Sequence, residues 1–228
     1  MVGDNADYGA CVCWRYRIIP VCQLLPGDAD GRCSKPVFPG QPDQPVWDCD
    51  GLHEPELISL IGLPGSGKST VGRQLARRLQ LPFTDSDHVI EQRLGCSIRE
   101  YFEREGEARF RDLESEVLDD LTREGTGVLS TGGGIVLREA NRVHLRERSQ
   151  VVYLNSTPDE LFRRLRHDKS RPLLQVADPL GKLRDLHQVR DPLYRETCRF
   201  SIETGRPSVA SLVGMIMAQL ELKVAPVH

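Results

Sequence analysis

A lysine set inside a glycine turn is the first group in this chain with an evident chemical use. Gly62-Leu-Pro-Gly-Ser-Gly67-Lys68-Ser69 follows the spacing G-x-x-x-x-G-K-[ST]. Such glycines let backbone N–H groups turn inward around phosphate oxygens, and the helix that follows presents its positive end to the anion. Gly65, Ser66, Gly67 and Thr70 belong to this cradle, Lys68 supplies a mobile charge for the outer phosphates, and Ser69 offers a hydroxyl to Mg²⁺. Arginine far outnumbers lysine here. The lysines are Lys35, Lys68, Lys169, Lys182 and Lys223, so chance is a poor explanation for one inside the loop.

Carboxylates and guanidinium groups come next. "TDSDHV" is read as a strand end from which Asp85 and Asp87 splay to opposite sides, so that one can face Mg²⁺ and the other an acceptor hydroxyl. A carboxylate there can take the hydroxyl proton as the bond to phosphorus forms. Helix capping by these acids is the competing reading, and Asp87, just ahead of a helix, could do both. Arg111 in "RFRDLE", Arg171 in "SRPLL" and Arg190 in "VRDPLY" lie far apart. A lone arginine is most often a solvated surface charge, but one in a loop or beside proline can hold a carboxylate through paired N–H bonds. Three of them with Asp87 suit an acceptor that carries both a carboxylate and hydroxyls. No N-K-x-D motif is present, which argues against a GTPase.

Positioning these groups requires alternating strands and helices. "ELISLIG" reads as a buried strand, and "KSTVGRQLARRLQ" as a helix with Val71, Leu75 and Leu79 on one face. "LPFTDSD" is a second strand. "CSIREYFEREGE" opens a helix on a Ser97–Glu100 capping box, and "EARFRDLESEVLDDLTRE" is a longer helix. "GVLSTGGG" is a strand running into a glycine turn, and "QVVYLNST" another strand. "TPDELFRRLRH" is a helix with Thr157 as cap, Pro158 in the first turn and Glu160 closing the box. After a polar stretch come a helix around Lys182 to Thr197, a strand at "RFSIET" and a closing helix, "SVASLVGMIMAQLEL". The alternation predicts an α/β fold with a central five-stranded parallel sheet covered on both faces.

Taken together, "GLPGSGKSTVGRQLA", "DSD", "FRDLE", "STGGG", "RPLL" and "RDPLY" follow the order and approximate spacing of shikimate kinases, from about Glu56 to Leu222. The glycine loop alone is widespread, whereas the set discriminates. The resemblance implies a phosphate-loop NTPase fold of the nucleoside-monophosphate-kinase-like, small-molecule kinase type. It implies transfer of the ATP γ-phosphate to the 3-hydroxyl of shikimate with Mg²⁺, in the route to chorismate and the aromatic amino acids. It further implies Asp87 as base and hydroxyl contact, with Arg111 and Arg190 on the carboxylate. Gly132, Gly133 and Gly134 become the substrate-facing turn, and Ser69 and Asp85 the metal side. Arg171 falls in a mobile lid, "DKSRPLLQVAD", as a catalytic and nucleotide contact. Arg164 and Arg206 lie on the nucleotide side, with Lys68 both catalytic and nucleotide-binding. Glu114, three residues after Arg111, could orient it. Phe102 and Phe110 are read equally as pocket walls or as core. The rival readings are a gluconate-type kinase and a kinase-like sensor without catalysis.

Residues 1–53 differ from the kinase-like residues 54–225. They are rich in Pro, Gly, Asp and Cys, carry no sustained helical period, and read as a disordered extension or as a start site assigned too early. Cys11, Cys13, Cys22, Cys33 and Cys49 precede the loop, with only Cys96 and Cys198 after it. Disulfides, zinc and free thiols all remain open for the front group; zinc lacks a C-x-x-C pair and has only His53 nearby. The formal charge of −3 offers no basic stripe for nucleic acid, and no run approaches the ~18 apolar residues of a membrane span. The expected protein is a cytoplasmic monomer that acts on a small molecule.

Overall fold

Strands buried on both faces read as continuous apolar runs rather than alternating ones. β1 (Leu57–Ile61, LISLI) is such a run and is buried at every residue. In the computed structural model, which describes residues 57–123, 125–166 and 178–221, it forms the centre of a five-stranded sheet. The order is β2 (Phe83–Asp85), β3 (Gly127–Ser130), β1, β4 (Gln150–Asn155), β5 (Phe200–Glu203), and every pairing is parallel. Residues expected within 1–53, including the five front cysteines and His53, lie outside the described residues, as does Arg171.

Alternation of side chains sorts the sheet into two cores. Ile58, Leu60, Val128, Val152 and Leu154 face α1 (Lys68–Leu79) and α7 (Val209–Glu221), where Val71, Leu75, Val213 and Ile216 complete one cluster. Leu57, Ile61, Leu129, Val151 and Tyr153 face the other way. They meet residues of α3 (Ile98–Arg123), α4 (Glu139–Arg148), α5 (Pro158–Leu165) and α6 (Pro179–Thr197). The remaining helix, α2 (Ser86–Leu94), packs on α3 around Ile90, Phe110 and Val117.

Topology sets where a ligand can bind. β1 lies between β3 and β4, so successive crossovers leave the middle of the sheet in opposite directions. Open α/β sheets bind ligands at the carboxyl ends of strands where the order reverses in this way. The phosphate loop follows β1, Asp85 closes β2, and the glycine turn follows β3, so all three emerge at that edge.

Local signals account for most element ends. Ser97 and Glu100 exchange the reciprocal capping bonds, and the Thr157–Glu160 box with Pro158 opens α5. The expected pair of helices between Ser97 and Arg123 is present, the two stretches of α3 meeting at a kink at Gly106, whose φ of 81° leaves the helical region. That break sets the direction of the second stretch, which carries Arg111 and Glu114. Sequence periodicity assigned no element between Gly134 and Gln150, where the structure has α4. Its signal is faint because only Asn141 and Leu145 are buried along its length.

Candidate active site

The phosphate loop wraps around the Lys68 side chain. Gly65 and Gly67 turn the backbone through left-handed φ values of 85° and 94°. Lys68 Nζ donates to the carbonyls of Gly62 (2.9 Å) and Leu63 (3.0 Å), which centres the ammonium in the loop. The Ser66 hydroxyl is buried without a hydrogen-bond partner among the described residues. An unmade bond at a buried polar atom is unfavourable, and a phosphate oxygen seated in the loop is the natural acceptor.

Beside the loop lies a small group of oxygens. Ser69 Oγ donates to Asp85 Oδ2 at 2.7 Å and lies 3.2 Å from Ser130 Oγ. Asp85 is also the cap of α2, because its Oδ1 accepts from the Asp87 amide at 3.2 Å. This corrects the strand-end reading of the two acids. Residues two apart on a strand share a face, so a strand would not have splayed them. They diverge because the chain turns into a helix at Ser86, which leaves Asp85 as cap and places Asp87 in the first turn. Burial, then the neighbouring Asp85 charge, pushes the Asp87 carboxyl up to about 6, against the pull of Lys68.

The glycine turn is the point of convergence. A methyl group on Gly132 would lie 2.7 Å from Asp87 Oδ1 and 2.9 Å from Glu114 Oε1. One on Gly133 would lie 2.7 Å from Pro64 Cδ of the phosphate loop, and one on Gly134 would lie 2.1 Å from Arg111 Nη1. Absent side chains therefore let the acid of β2–α2, the arginine of α3 and the phosphate loop meet at one place. The unassigned helix α4 helps to hold this turn, since Asn141 Nδ2 donates to Ile135 O (3.0 Å) and Arg142 Nη1 to Val136 O (2.9 Å). From β2–α2, the Ser86 hydroxyl accepts from the Gly132 amide at 3.1 Å.

Arg111 is oriented as its spacing suggested. Its Nη1 donates to Glu114 Oε2 at 2.7 Å, and Glu114 is only 2% exposed. Exposed Glu107 holds the other edge of the guanidinium, Nη2 to Oε1 at 3.2 Å. Burial pushes the Glu114 carboxyl up more than Arg111 pulls it down. Burial pulls the Arg111 guanidinium down, but Glu114 and Glu107 leave it above its ordinary value. The short contact and the permanence of guanidinium charge favour the ionised pair. From α6, Arg190 Nη1 donates to Gly133 O at 3.0 Å, which brings the second guanidinium to the same turn.

A cavity of about 320 Å³ opens between the phosphate loop and Asp87, lined by Lys68, Ser69, Asp85, Asp87, Ser130 and Gly133 among others, with Gly65, Gly67 and Thr70 at the loop side; Arg111 and Arg190 do not line it. Arg164 Nη1 reaches Thr204 Oγ1 (3.2 Å) and Ser156 Oγ (3.4 Å), which fastens the end of α5 to the turn after β5. Arg206 is exposed in that same turn. Phe102 and Phe110 pair with centroids 5.3 Å apart inside the α2–α3 cluster, so core packing is their observed role. Pro64, Ser130 and Tyr194 went unnoticed in the sequence; the only signal for Tyr194 was its place four residues after Arg190.

A larger cleft of about 720 Å³ opens at the opposite edge of the sheet. The helices α3, α4 and α6 all end there, and Arg123, Arg146 and Arg148 are paired with Asp119 and Glu196. Basic side chains suit the negative ends of helices, and none of the groups described above reaches that cleft.

Comparison with known proteins gives the family. A family profile described as shikimate kinase matches residues 64–221. A shikimate kinase of Paracidovorax citrulli is 63% identical over 175 residues, covering 75% of this chain and 96% of that one. One from Ralstonia nicotianae is 54% identical over 165 residues, covering 72% and 87%. Among solved structures, the shikimate kinase of Acinetobacter baumannii in complex with shikimate superposes with a TM-score of 0.70 at 46% identity, covering 74% of this chain and 93% of that one. The chain belongs to the shikimate kinase family.

Proposed function

We propose that this kinase transfers the γ-phosphoryl group of ATP to the 3-hydroxyl of shikimate and forms 3-phosphoshikimate on the way to chorismate. The observation that carries the reading is the meeting of Asp87, Glu114, Arg111 and the phosphate loop on three consecutive glycines. It supports an acceptor with a hydroxyl at one end and a carboxylate at the other, set against the far end of a triphosphate. Arg111 and Arg190 bind the carboxylate, and Gly132, Gly133 and Gly134 let the ring approach the backbone. Asp87 accepts the proton of the attacking hydroxyl, in hydrogen-bond reach of a cavity it lines. Its carboxyl at about 6 is ionised at neutral pH yet basic enough to take a proton.

Phosphoryl transfer asks a protein mainly for alignment and charge neutralisation. The loop amides with Gly65, Ser66, Gly67 and Thr70 hold the phosphates, Lys68 neutralises the outer ones, and Arg164 and Arg206 bound the nucleotide side. Ser69 and Asp85 present few, hard oxygens, a donor set that suits Mg²⁺, which keeps several waters and shares the phosphates of its substrate. When bound, Mg²⁺ supplies charge neutralisation and alignment of the phosphate oxygens. Among the described residues no group of three or more His, Cys, Asp or Glu could form a separate metal site. No described helix is long and apolar enough to cross a membrane. We read the enzyme as a cytoplasmic monomer that acts on a small molecule with ATP.

The test is a coupled ADP-release assay that offers shikimate, gluconate and nucleoside monophosphates in turn. Shikimate alone is expected to give rapid turnover. Faster release with gluconate would replace this reading with that of a gluconate-type kinase.

A further inference from the structure

Tyr194 lies one helical turn beyond Arg190 on α6, so the two share a face. Both donate to the same atom, the carbonyl oxygen of Gly133: Arg190 Nη1 at 3.0 Å and Tyr194 Oη at 2.5 Å. The tyrosine is fully buried, and its ring stacks on Tyr153 of β4 with centroids 4.9 Å apart and planes at 26°. Tyr153 is itself held, its hydroxyl lying 3.1 Å from Asn155 Oδ1 and 2.9 Å from Asp191 Oδ1. The Tyr194 hydroxyl is therefore mounted on a rigid stack that leads back into the sheet. Burial also keeps this phenol well above its ordinary range, so it remains a donor at any working pH.

A core tyrosine satisfied by a nearby carbonyl needs no functional reading, but the identity of this carbonyl does. Gly133 is the middle residue of the turn on which Asp87, Glu114 and Arg111 converge, and it shares its oxygen with the second guanidinium of the site. Across a trans peptide, the carbonyl of one residue and the N–H of the next point to opposite edges of one plane. Two donors on Gly133 O fix that plane. They thereby fix the direction of the Gly134 N–H, and the Arg111 guanidinium packs against the same residue, in the space a side chain on Gly134 would take.

We propose that Tyr194 is a positioning residue for the anionic end of the acceptor. Its hydroxyl locks the Gly133–Gly134 peptide and the orientation of Arg190, so that both arginines address one carboxylate. The proposal deepens the phosphotransfer reading and rests on it.

The test compares the full chain with its Tyr194→Phe and Tyr153→Phe variants, using shikimate and its uncharged methyl ester as acceptors. Tyr194→Phe is expected to raise the shikimate KM by about tenfold, the loss of one well-made hydrogen bond. The ATP KM should stay within about twofold, and the preference for shikimate over the ester should shrink by a factor similar to the rise in shikimate KM. Tyr153→Phe loosens the stack but keeps both donors on Gly133 O, and should shift the preference by much less than Tyr194→Phe does. A Tyr194→Phe enzyme with a lowered melting temperature but the parent preference overturns the proposal, because that is the behaviour of a packing residue. A parent chain that does not phosphorylate shikimate overturns the functional reading and this proposal with it. Should Tyr194→Phe fail to fold, the Tyr194 hydroxyl proton is followed by NMR in the unaltered chain. A shift on adding shikimate but not the ester supports the role, and indifference to both overturns it.

Discussion

Replacing Asp87 by asparagine separates the charge of this side chain from its shape. The Asp87 carboxyl stands at about 6 rather than 3.8, chiefly through burial and secondly through Asp85. A displacement of about two units corresponds to roughly 3 kcal/mol between the two protonation states. The folded state binds this proton more tightly than the unfolded chain does, so stability falls as pH rises through the interval between the two values. The penalty is absent below about pH 4 and complete above about pH 6. A neutral amide carries none of it, although it also gives up the attraction of Lys68. Asp87→Asn is therefore expected to melt several degrees higher than the parent at pH 7.5, with an upper bound of roughly 6–12 °C for a domain of this size. The two proteins should melt together near pH 4. Turnover should fall by about 10²–10⁴, the usual contribution of a general base, while ADP binding persists. Thermal melts across a pH series, ADP-release kinetics and calorimetric titration with ADP measure the three effects. A variant less stable than the parent at pH 7.5, by an amount that does not change with pH, would refute the account of a buried, charge-strained carboxylate. Retained turnover would remove the base assignment.

Other perturbations test the acceptor pocket and its frame. Arg111→Ala leaves Glu114, only 2% exposed, without its partner and should weaken shikimate binding by about 2–5 kcal/mol; unchanged affinity by calorimetry would count against the carboxylate role. Gly134→Ala places a methyl 2.1 Å from Arg111 Nη1 and should raise the shikimate KM while sparing the ATP KM in steady-state kinetics. Ser69→Ala removes the 2.7 Å bond to Asp85 and should increase the Mg²⁺ concentration needed for half-maximal rate. A chain shortened to begin at Leu52 is expected to keep its melting temperature and its ADP release, and loss of either would show that the preceding residues are structural.

Much of the fold was legible because its signals are local. The Thr157–Glu160 capping box and the Ser97–Glu100 box each depend on residues three apart, and both occur as read. The buried run of β1 and the loop motif after it needed only a few neighbouring residues. The missed helix α4 shows the limit, because a helix that buries one leucine and one asparagine has too narrow an apolar stripe to register. The misread acids show another. Asp85 both ends β2 and caps α2, and Asp87 falls in the first helical turn because the chain turns into a helix at Ser86. Tyr194 was invisible for a similar reason, since a tyrosine four residues after an arginine has many uses until its acceptor is known.

The sequence by itself determined that this chain holds a phosphate. A glycine loop, a lysine and a helix N-terminus are contiguous, and backbone geometry over a dozen residues suffices to form the cradle. It also supplied the parts of the proposed acceptor site, as residue types in a recognisable order. Only the tertiary structure decided that those parts form one site. Asp87, Arg111 and Arg190 come from three different helices, and no local rule relates their positions. They meet because parallel crossovers bring the carboxyl ends of β1, β2 and β3 to one edge, where Gly132 and Gly134 leave room for Asp87 and Arg111 and the Gly133 carbonyl accepts from Arg190.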